Sequence, residues 1–268
     1  RDDRGFALAA VECQGDVLLF LSPALQDARE VVSAAVMQNG LSLRHASAAM
    51  AEDLSICLAA VKNNAAALRY ASATLRGNRR LVLAAVRQDG TQLKYACPSL
   101  RKDTELCLAA LAQNTESRTG TSLEMWSKSD FVKRAVSTDR TLAGFAQKAC
   151  PELWGNRKFV LDVVKQDGSL LEYASKTLRQ DHEIVLEAVR QNGISLKWAD
   201  PCYKSDVEIV SEAILENEAA CEFANSKTLG FLGCPGSSQW ECALQTKPRP
   251  AMPTAKKFGM CRIPSVRT

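Results

Sequence analysis

Residues 181–200 read DHEIVLEAVRQNGISLKWAD, and the same pattern of apolar, polar and glycine positions returns along the chain every 25 residues. Val189 marks the unit most clearly, so positions within each repeat are numbered from it as position 0. A fixed period of this length is typical of a tandem array of one supersecondary unit. We therefore predict nine repeats over residues 1–229, with a slip of three residues between Val136 and Val164. Position 0 of the other repeats is Val11, Val36, Val61, Val86, Leu111, Val136, Val164 and Ile214.

The first half of each repeat has the spacing of an amphipathic α-helix. Apolar residues at −5, −4 and 0 share one helical face with a small residue, usually alanine, at −1. The alanine would let a neighbouring helix approach closely. Position −8 is Asp or Asn in seven repeats, which predicts a side-chain cap at the start of the helix. These predicted caps are Asp3, Asp53, Asn78, Asp103, Asn156, Asp181 and Asp206.

The second half of the repeat predicts a short second helix of about ten residues. Leucine recurs at +7, an aromatic or histidine ring at +9, and Leu or Met at +14. His45 fills the ring position of repeat 2, which favours packing over catalysis. If the ring of Tyr95 is buried between repeats, Tyr95→Ala would cost about 3–5 kcal/mol. Glycine at +4 is expected to end the first helix in the left-handed conformation, at Gly15, Gly40, Gly90, Gly168 and Gly193.

Residues 181–199, and equally 78–100 and 156–178, resemble a tandem helical repeat family that is catalogued as domain of unknown function 4116. The resemblance covers nearly all of residues 1–229. It is interrupted after residue 114, where Gly120 replaces the ring, and again after residue 145, where three extra residues enter. The resemblance implies a fold and no catalytic residue.

The predicted architecture is an all-α solenoid of about nine 25-residue helix–turn–helix repeats, irregular at residues 112–155, with an extended tail at 230–268. The tail is rich in proline and glycine, which disfavour helix. It would either cap the last repeat or run across a partner protein, with an aromatic ring as anchor. The candidate partner-binding residues are Trp240, Arg249, Lys256, Lys257, Phe258 and Arg262.

The distribution of charge argues against nucleic acid as the main partner. The formal net charge is +4, and the tail has six basic residues against Glu241, so it carries +5 and the repeats carry −1. Phosphate binding would require clustering of one sign. A helical-repeat nucleic-acid binder nevertheless stays the alternative hypothesis, by analogy with repeats that each read one base.

No metal site or cofactor is predicted from the cysteines and histidines. The chain has ten cysteines and two histidines, without any C-x-x-C pair. Cys57 and Cys107 take a valine position and are expected to be buried. The tail cysteines Cys234, Cys242 and Cys261 leave three alternatives open: reduced thiols, a disulfide or a metal site.

The sequence also lacks the motifs of common enzymes, since it contains neither a G-x-S-x-G elbow nor a phosphate-binding glycine loop. We therefore expect a non-enzymatic protein–protein interaction scaffold, as a structural or accessory subunit of a larger assembly. No apolar run is long enough to span a bilayer, and peripheral association is left open. The expected location is intracellular, soluble or peripheral. Because the chain begins almost directly on a repeat, it is either a fragment or has lost a presequence, the latter being compatible with an organelle.

Overall fold

The computed structural model describes residues 3–232, and this part of the chain contains helices and no strand. Each of the nine repeats begins with an α-helix of eight or ten residues, which contains position 0. The predicted all-α repeat solenoid is therefore confirmed. These long helices are Arg4–Cys13, Arg29–Gln38, Leu54–Asn63, Arg79–Gln88, Thr104–Gln113, Ser129–Thr138, Arg157–Val164, His182–Gln191 and Val207–Glu216.

A 3-10 helix follows the long helix in every repeat but the sixth, and a single helical turn closes the repeat. The 3-10 helices are Gly15–Phe20, Gly40–His45, Ala65–Tyr70, Gly90–Tyr95, Thr115–Thr119, Gly168–Tyr173, Gly193–Trp198 and Glu218–Phe223. The closing turns are Pro23–Gln26, Ala48–Ala51, Leu75–Gly77, Leu100–Lys102, Leu123–Ser127, Leu153–Gly155, Leu178–Gln180 and Tyr203–Ser205, and the last repeat ends with the helix Ser226–Phe231.

The prediction of a continuous second helix of about ten residues is wrong. The chain becomes extended directly after the 3-10 helix, as at Ala96 with φ −66° and ψ 155°. Six residues are too few to propagate an α-helix, and 3-10 hydrogen bonds suit such short pieces. In repeat 6 the three extra residues lengthen this segment, and it forms the α-helix Leu142–Ala149 instead.

All seven predicted caps accept hydrogen bonds from backbone N–H groups in the first turn of their helices. Asp181, for example, accepts from the N–H groups of Glu183 at 3.1 Å and Ile184 at 3.3 Å. The long helices of repeats 2 and 6 follow Ala28 and Lys128 and have no side-chain cap. The cap pattern in the sequence was therefore a reliable guide to where most of the long helices begin.

The apolar face of the long helices forms one continuous core. Every residue at position 0 is at most 5% exposed, and every residue at −4 is fully buried. Residues at −5 are at most 2% exposed, except in repeat 1. There the side chain of Phe6 is 68% exposed, because no repeat precedes it in the described chain. Substantial packing contacts join only elements of the same or adjacent repeats. This is the contact pattern of a solenoid.

Glycine recurs at +4 for a reason other than the predicted left-handed conformation. None of the described glycines has a φ in the left-handed region. A methyl carbon built on Gly90 would instead lie closer than 3.0 Å to the carbonyl oxygen of Ala110, the −1 residue of the next repeat. The other four glycines face the carbonyl of the next repeat in the same way. Glycine at +4 therefore permits close stacking of repeats, and the helix ends through the extended residue at +3.

Polar groups also connect successive repeats. In repeat 2, Gln38 accepts from the N–H of Gly15 at 2.7 Å and donates to the carbonyl of Cys13 at 3.3 Å. Asn63 makes the equivalent pair of bonds to Gly40 and Met37. A backbone hydrogen bond from +11 to the closing turn of the previous repeat occurs at seven of the eight junctions in the described chain: Ser47 to Gln26, Ser72 to Ala51, Cys97 to Arg76, Ser122 to Arg101, Ser175 to Trp154, Asp200 to Arg179 and Asn225 to Lys204.

The junction between repeats 5 and 6 is the one that lacks this backbone bond within residues 3–232. Trp126 contacts repeat 6 at this junction. Its side chain is fully buried and packs edge-on against Phe131 and Phe145, with ring centroids 5.3 and 4.9 Å apart. Trp154 repeats the arrangement one repeat later against Phe159. Neither tryptophan was predicted to be a core residue. The sequence feature that could have indicated them is an aromatic residue in the closing turn, where regular repeats have Gln, Ala, Arg or Lys.

Candidate interaction surface

The 3-10 helices of repeats 2–4 present a row of rings, each preceded by a cation. We define the ring face as the side chains at +8 and +9 of repeats 2–4. The rings are half-buried against the core, and the cations at +8 are exposed. The ring face consists of Arg44, His45, Arg69, Tyr70, Lys94 and Tyr95.

Each cation on the ring face lies against its own ring. The Arg69 guanidinium is 4.5 Å from the centroid of Tyr70, and the Lys94 ammonium is 5.1 Å from that of Tyr95. Arg69 also donates to the hydroxyl oxygen of Tyr70, and the hydroxyl groups of Tyr70 and Tyr95 raise the pKa of the Arg69 guanidinium. Cation–π attraction of this kind holds a charge in place on a surface.

The ring face carries a net positive charge. Within residues 3–232, Arg44 forms an ion pair with Asp16 at 3.4 Å, Lys94 interacts electrostatically with Asp89, and Arg69 forms no ion pair. Burial lowers the pKa of His45, Arg44 lowers it further, and Asp16 opposes the shift. His45 is therefore a neutral ring at pH 7, and the charge of the ring face comes from its three cations.

This net charge is confined to the N-terminal repeats. In repeat 5, Arg118 pairs with Glu116 at 2.9 Å. In repeats 7 and 9 the residue before the ring is acidic, Glu172 and Glu222. Lys197 in repeat 8 lies 5.0 Å from the ring of Trp198 but stands between these acidic repeats. A stretch of one charge sign thus exists on this side of the solenoid only in repeats 2–4.

Tyr95→Ala should lower the free energy of unfolding by about 2 kcal/mol, less than expected for a buried ring. The Tyr95 ring is only half-buried, so alanine removes part of a packed side chain and creates no closed cavity. Urea denaturation followed by circular dichroism measures the loss. A loss of 4 kcal/mol or more would mean that the ring is a core residue and not part of a surface.

A small cleft lies where repeats 6 and 7 are less closely stacked. Arg140 takes the +4 position that glycine holds in regular repeats, and a cavity of about 210 Å³ opens beside it. Lys133 on its rim pairs with Asp162 at 2.5 Å. The lining side chains include neither a histidine nor a cysteine. The polar part of its lining includes Ser137 and Asp167, and the cleft lies in the irregular part of the array.

Cys57 and Cys107 are fully buried, as predicted. Burial raises the pKa of the Cys57 thiol to about 11 and that of Cys107 to about 12, and the cap carboxylates Asp53 and Asp103 add to the shift. Residues 3–232 contain no group of three or more His, Cys, Asp or Glu side chains that could hold a metal ion.

These two thiols should resist alkylation in the folded protein. At pH 8 both stay protonated and shielded, whereas the exposed Cys13 is accessible. Iodoacetamide treatment followed by peptide mass spectrometry should find Cys13 modified and Cys57 and Cys107 unmodified. The same treatment in urea serves as the control and should modify all three. Rapid labelling of Cys57 or Cys107 without urea would contradict the stacking described above.

The predicted partner-binding residues Trp240, Arg249, Lys256, Lys257, Phe258 and Arg262 lie outside the described residues, as do Cys234, Cys242 and Cys261. Their roles stay predictions. Within the described chain, none of the helices has the length and apolar character required to cross a bilayer.

Comparison with protein families supports the repeat assignment. One family model, described as Domain of unknown function (DUF4116), matches residues 3–50, 53–101, 78–119 and 156–204. The model leaves residues 120–155, which lie in the irregular repeats, and residues 205–268 unmatched. No curated protein and no solved structure matches the chain. Because the family model matches more than half of the sequence in successive repeats, the chain belongs to the DUF4116 family of tandem repeats, whose function is unknown.

Proposed function

We propose that this protein is a non-enzymatic protein–protein interaction scaffold, and a structural or accessory subunit of a larger assembly. The observation that carries the proposal is the ring face: three successive repeats present a cation and a ring at the same two positions. Such a row offers a partner several equivalent contacts along one direction. Repeat solenoids use extended surfaces of this kind for binding.

The connections between repeats support the proposal, because they fix the spacing of these contacts. The amides of Gln38 and Asn63 join repeats 1–3, and one backbone bond per junction continues the connection through repeats 1–5. A surface held in place before binding loses less conformational entropy when a partner docks. The arrangement therefore suits a stable assembly.

Nucleic-acid binding is the second candidate function. The observation that favours it is the same row of cations beside rings, since proteins that bind single strands combine positive charge with aromatic stacking. A tagged full-length chain, isolated from cells of its source organism by gentle lysis, distinguishes the two. The protein should elute well above its own mass of 29.2 kDa with a fixed set of proteins, before and after nuclease treatment.

Elution as a free monomer would contradict the scaffold proposal. Loss of the large species after nuclease treatment would instead support the second candidate. Mild chemical crosslinking before lysis guards against dissociation during fractionation. Crosslinked peptides that include Lys94 would place the partner next to the ring face.

A further inference from the structure

We infer that the ring face of repeats 2–4 docks an extended acidic segment of a partner protein, whose carboxylates pair with Arg44, Arg69 and Lys94. This inference rests on the proposed scaffold function and specifies its surface and the chemistry of the partner. It starts from the charge: of the three cations, Arg44 is paired with Asp16 at 3.4 Å and Lys94 interacts electrostatically with Asp89, whereas Arg69 forms no ion pair in the described chain, so the row keeps a net positive charge. Complementary charge from a partner would balance this surface.

The cations are positioned before any partner binds. Arg69 is held by the ring and the hydroxyl group of Tyr70, and Lys94 lies over the Tyr95 ring. An exposed ion pair is weakened by the entropy lost in ordering two long side chains. Because the ring contacts already order the side chains of Arg69 and Lys94, these cations lose less entropy when a carboxylate binds. The ring face is thus better suited to carboxylates than isolated surface lysines are.

The spacing of the cations fits an extended peptide. One cation stands in each repeat, and packed helical elements lie roughly 8–10 Å apart. A segment in the extended polyproline II conformation has three residues per turn and advances about 3.1 Å per residue, so every third side chain returns to the same face about 9 Å from the last. A segment with an acidic residue at each third position therefore matches the row formed by Arg44, Arg69 and Lys94.

Two observations favour a protein segment over a nucleic-acid strand. The faces of the Tyr70 and Tyr95 rings are partly covered by their own cations, and the rings are half-buried, which leaves little room for stacked bases. The row of one charge sign also ends at repeat 5, where Arg118 is paired with Glu116. Three cations are fewer than the roughly 6–10 phosphate contacts of a salt-dependent nucleic-acid binder.

The test measures fluorescence anisotropy of a labelled synthetic peptide with glutamate at every third position and glycine elsewhere, titrated with the full-length protein. We expect binding that weakens as salt is raised, and no binding of the peptide in which glutamine replaces glutamate. An RNA oligonucleotide of equal formal charge is titrated in parallel. Tighter binding of the oligonucleotide than of the acidic peptide would overturn the inference, as would equal binding of the two peptides.

Two triple variants with the same change in net charge locate the site. Arg44→Gln, Arg69→Gln and Lys94→Gln together should weaken binding of the acidic peptide about tenfold. The control variant carries Lys62→Gln, Arg87→Gln and Lys165→Gln, which replace exposed cations at position +1 of three repeats. It should bind the acidic peptide as tightly as the unmodified chain does. Thermal melting checks that both variants stay folded.

Equal weakening in both variants would show an effect of overall charge and would refute a site on the ring face. The outcome is separable from that of the scaffold proposal. If the large species from cells persists when the ring-face variant is expressed, the docking inference is wrong and the scaffold stands. If the unmodified chain forms no large species, the scaffold proposal itself fails, whatever the peptide does.

Discussion

Replacing Trp126 with alanine is expected to lower the free energy of unfolding by about 4 kcal/mol. The indole is fully buried, and its two edge-on ring contacts reach Phe131 and Phe145 of repeat 6. Its Nε1 also donates to the Thr121 hydroxyl at 2.8 Å. Alanine would remove this packing and leave a cavity that rigid helices on both sides cannot fill.

The loss should also weaken the coupling between the two ends of the solenoid. The junction of repeats 5 and 6 lacks the backbone bond present at the other seven described junctions, and the Trp126 cluster adds ring contacts there to the packing of the two long helices. In a linear array, cooperativity depends on such interfaces between neighbours. We therefore expect the unfolding transition of Trp126→Ala to broaden or to divide into two steps.

Urea denaturation, followed by circular dichroism, measures both effects. Trp198→Ala is the matched control, because it removes the same side chain from a half-buried ring position and should cost no more than about 2 kcal/mol. Equal losses in the two variants, or a loss below 1 kcal/mol for Trp126→Ala, would show that the junction does not depend on the indole.

Gly90→Val should destabilise the protein by about 3 kcal/mol. A side chain at this position meets the carbonyl group of Ala110 in the next repeat, which is backbone and cannot rotate away. The two repeats would have to separate, and the buried faces of both long helices would lose contact. Gly90→Ala should cost less, because Ala65 holds the same position in repeat 3 and is accommodated there.

Gly155→Val is the control for this substitution, since a methyl carbon built at Gly155 has no atom within 4 Å. Its cost should stay near 0.5 kcal/mol, the range of ordinary surface changes. Calorimetric melting of both variants gives the comparison. A similar decrease in melting temperature for Gly90→Val and Gly155→Val would mean that glycine at +4 acts through backbone freedom and not through close stacking.

The sequence was sufficient for the features that are local and repeated. The spacing of Ile184, Val185 and Val189 within one helix is the same in nine copies, so each copy supports the others in predicting the buried face. The Asp and Asn caps were predictable for the same reason, because a cap depends on residues within one turn.

The candidate surface could be predicted only in part. Recurrence of a cation directly before a ring is visible at Arg69 and Lys94, but the sequence does not show which carboxylates lie near them. Acidic residues in the same repeats suggested that the charges were balanced. In the folded chain Asp53 pairs with Arg29 and Asp103 with Arg79, while Asp16 pairs with Arg44, so the ring face keeps a net positive charge.

The sequence by itself determined the period, the long helices, their caps and the buried position 0. These follow from helical periodicity and short-range hydrogen bonds. Only the tertiary structure decided why glycine stands at +4, that Trp126 is buried between repeats, and that Arg44 pairs with Asp16 of the preceding repeat. Each of these depends on the distance between residues of different repeats, and that distance is set by how the helices stack.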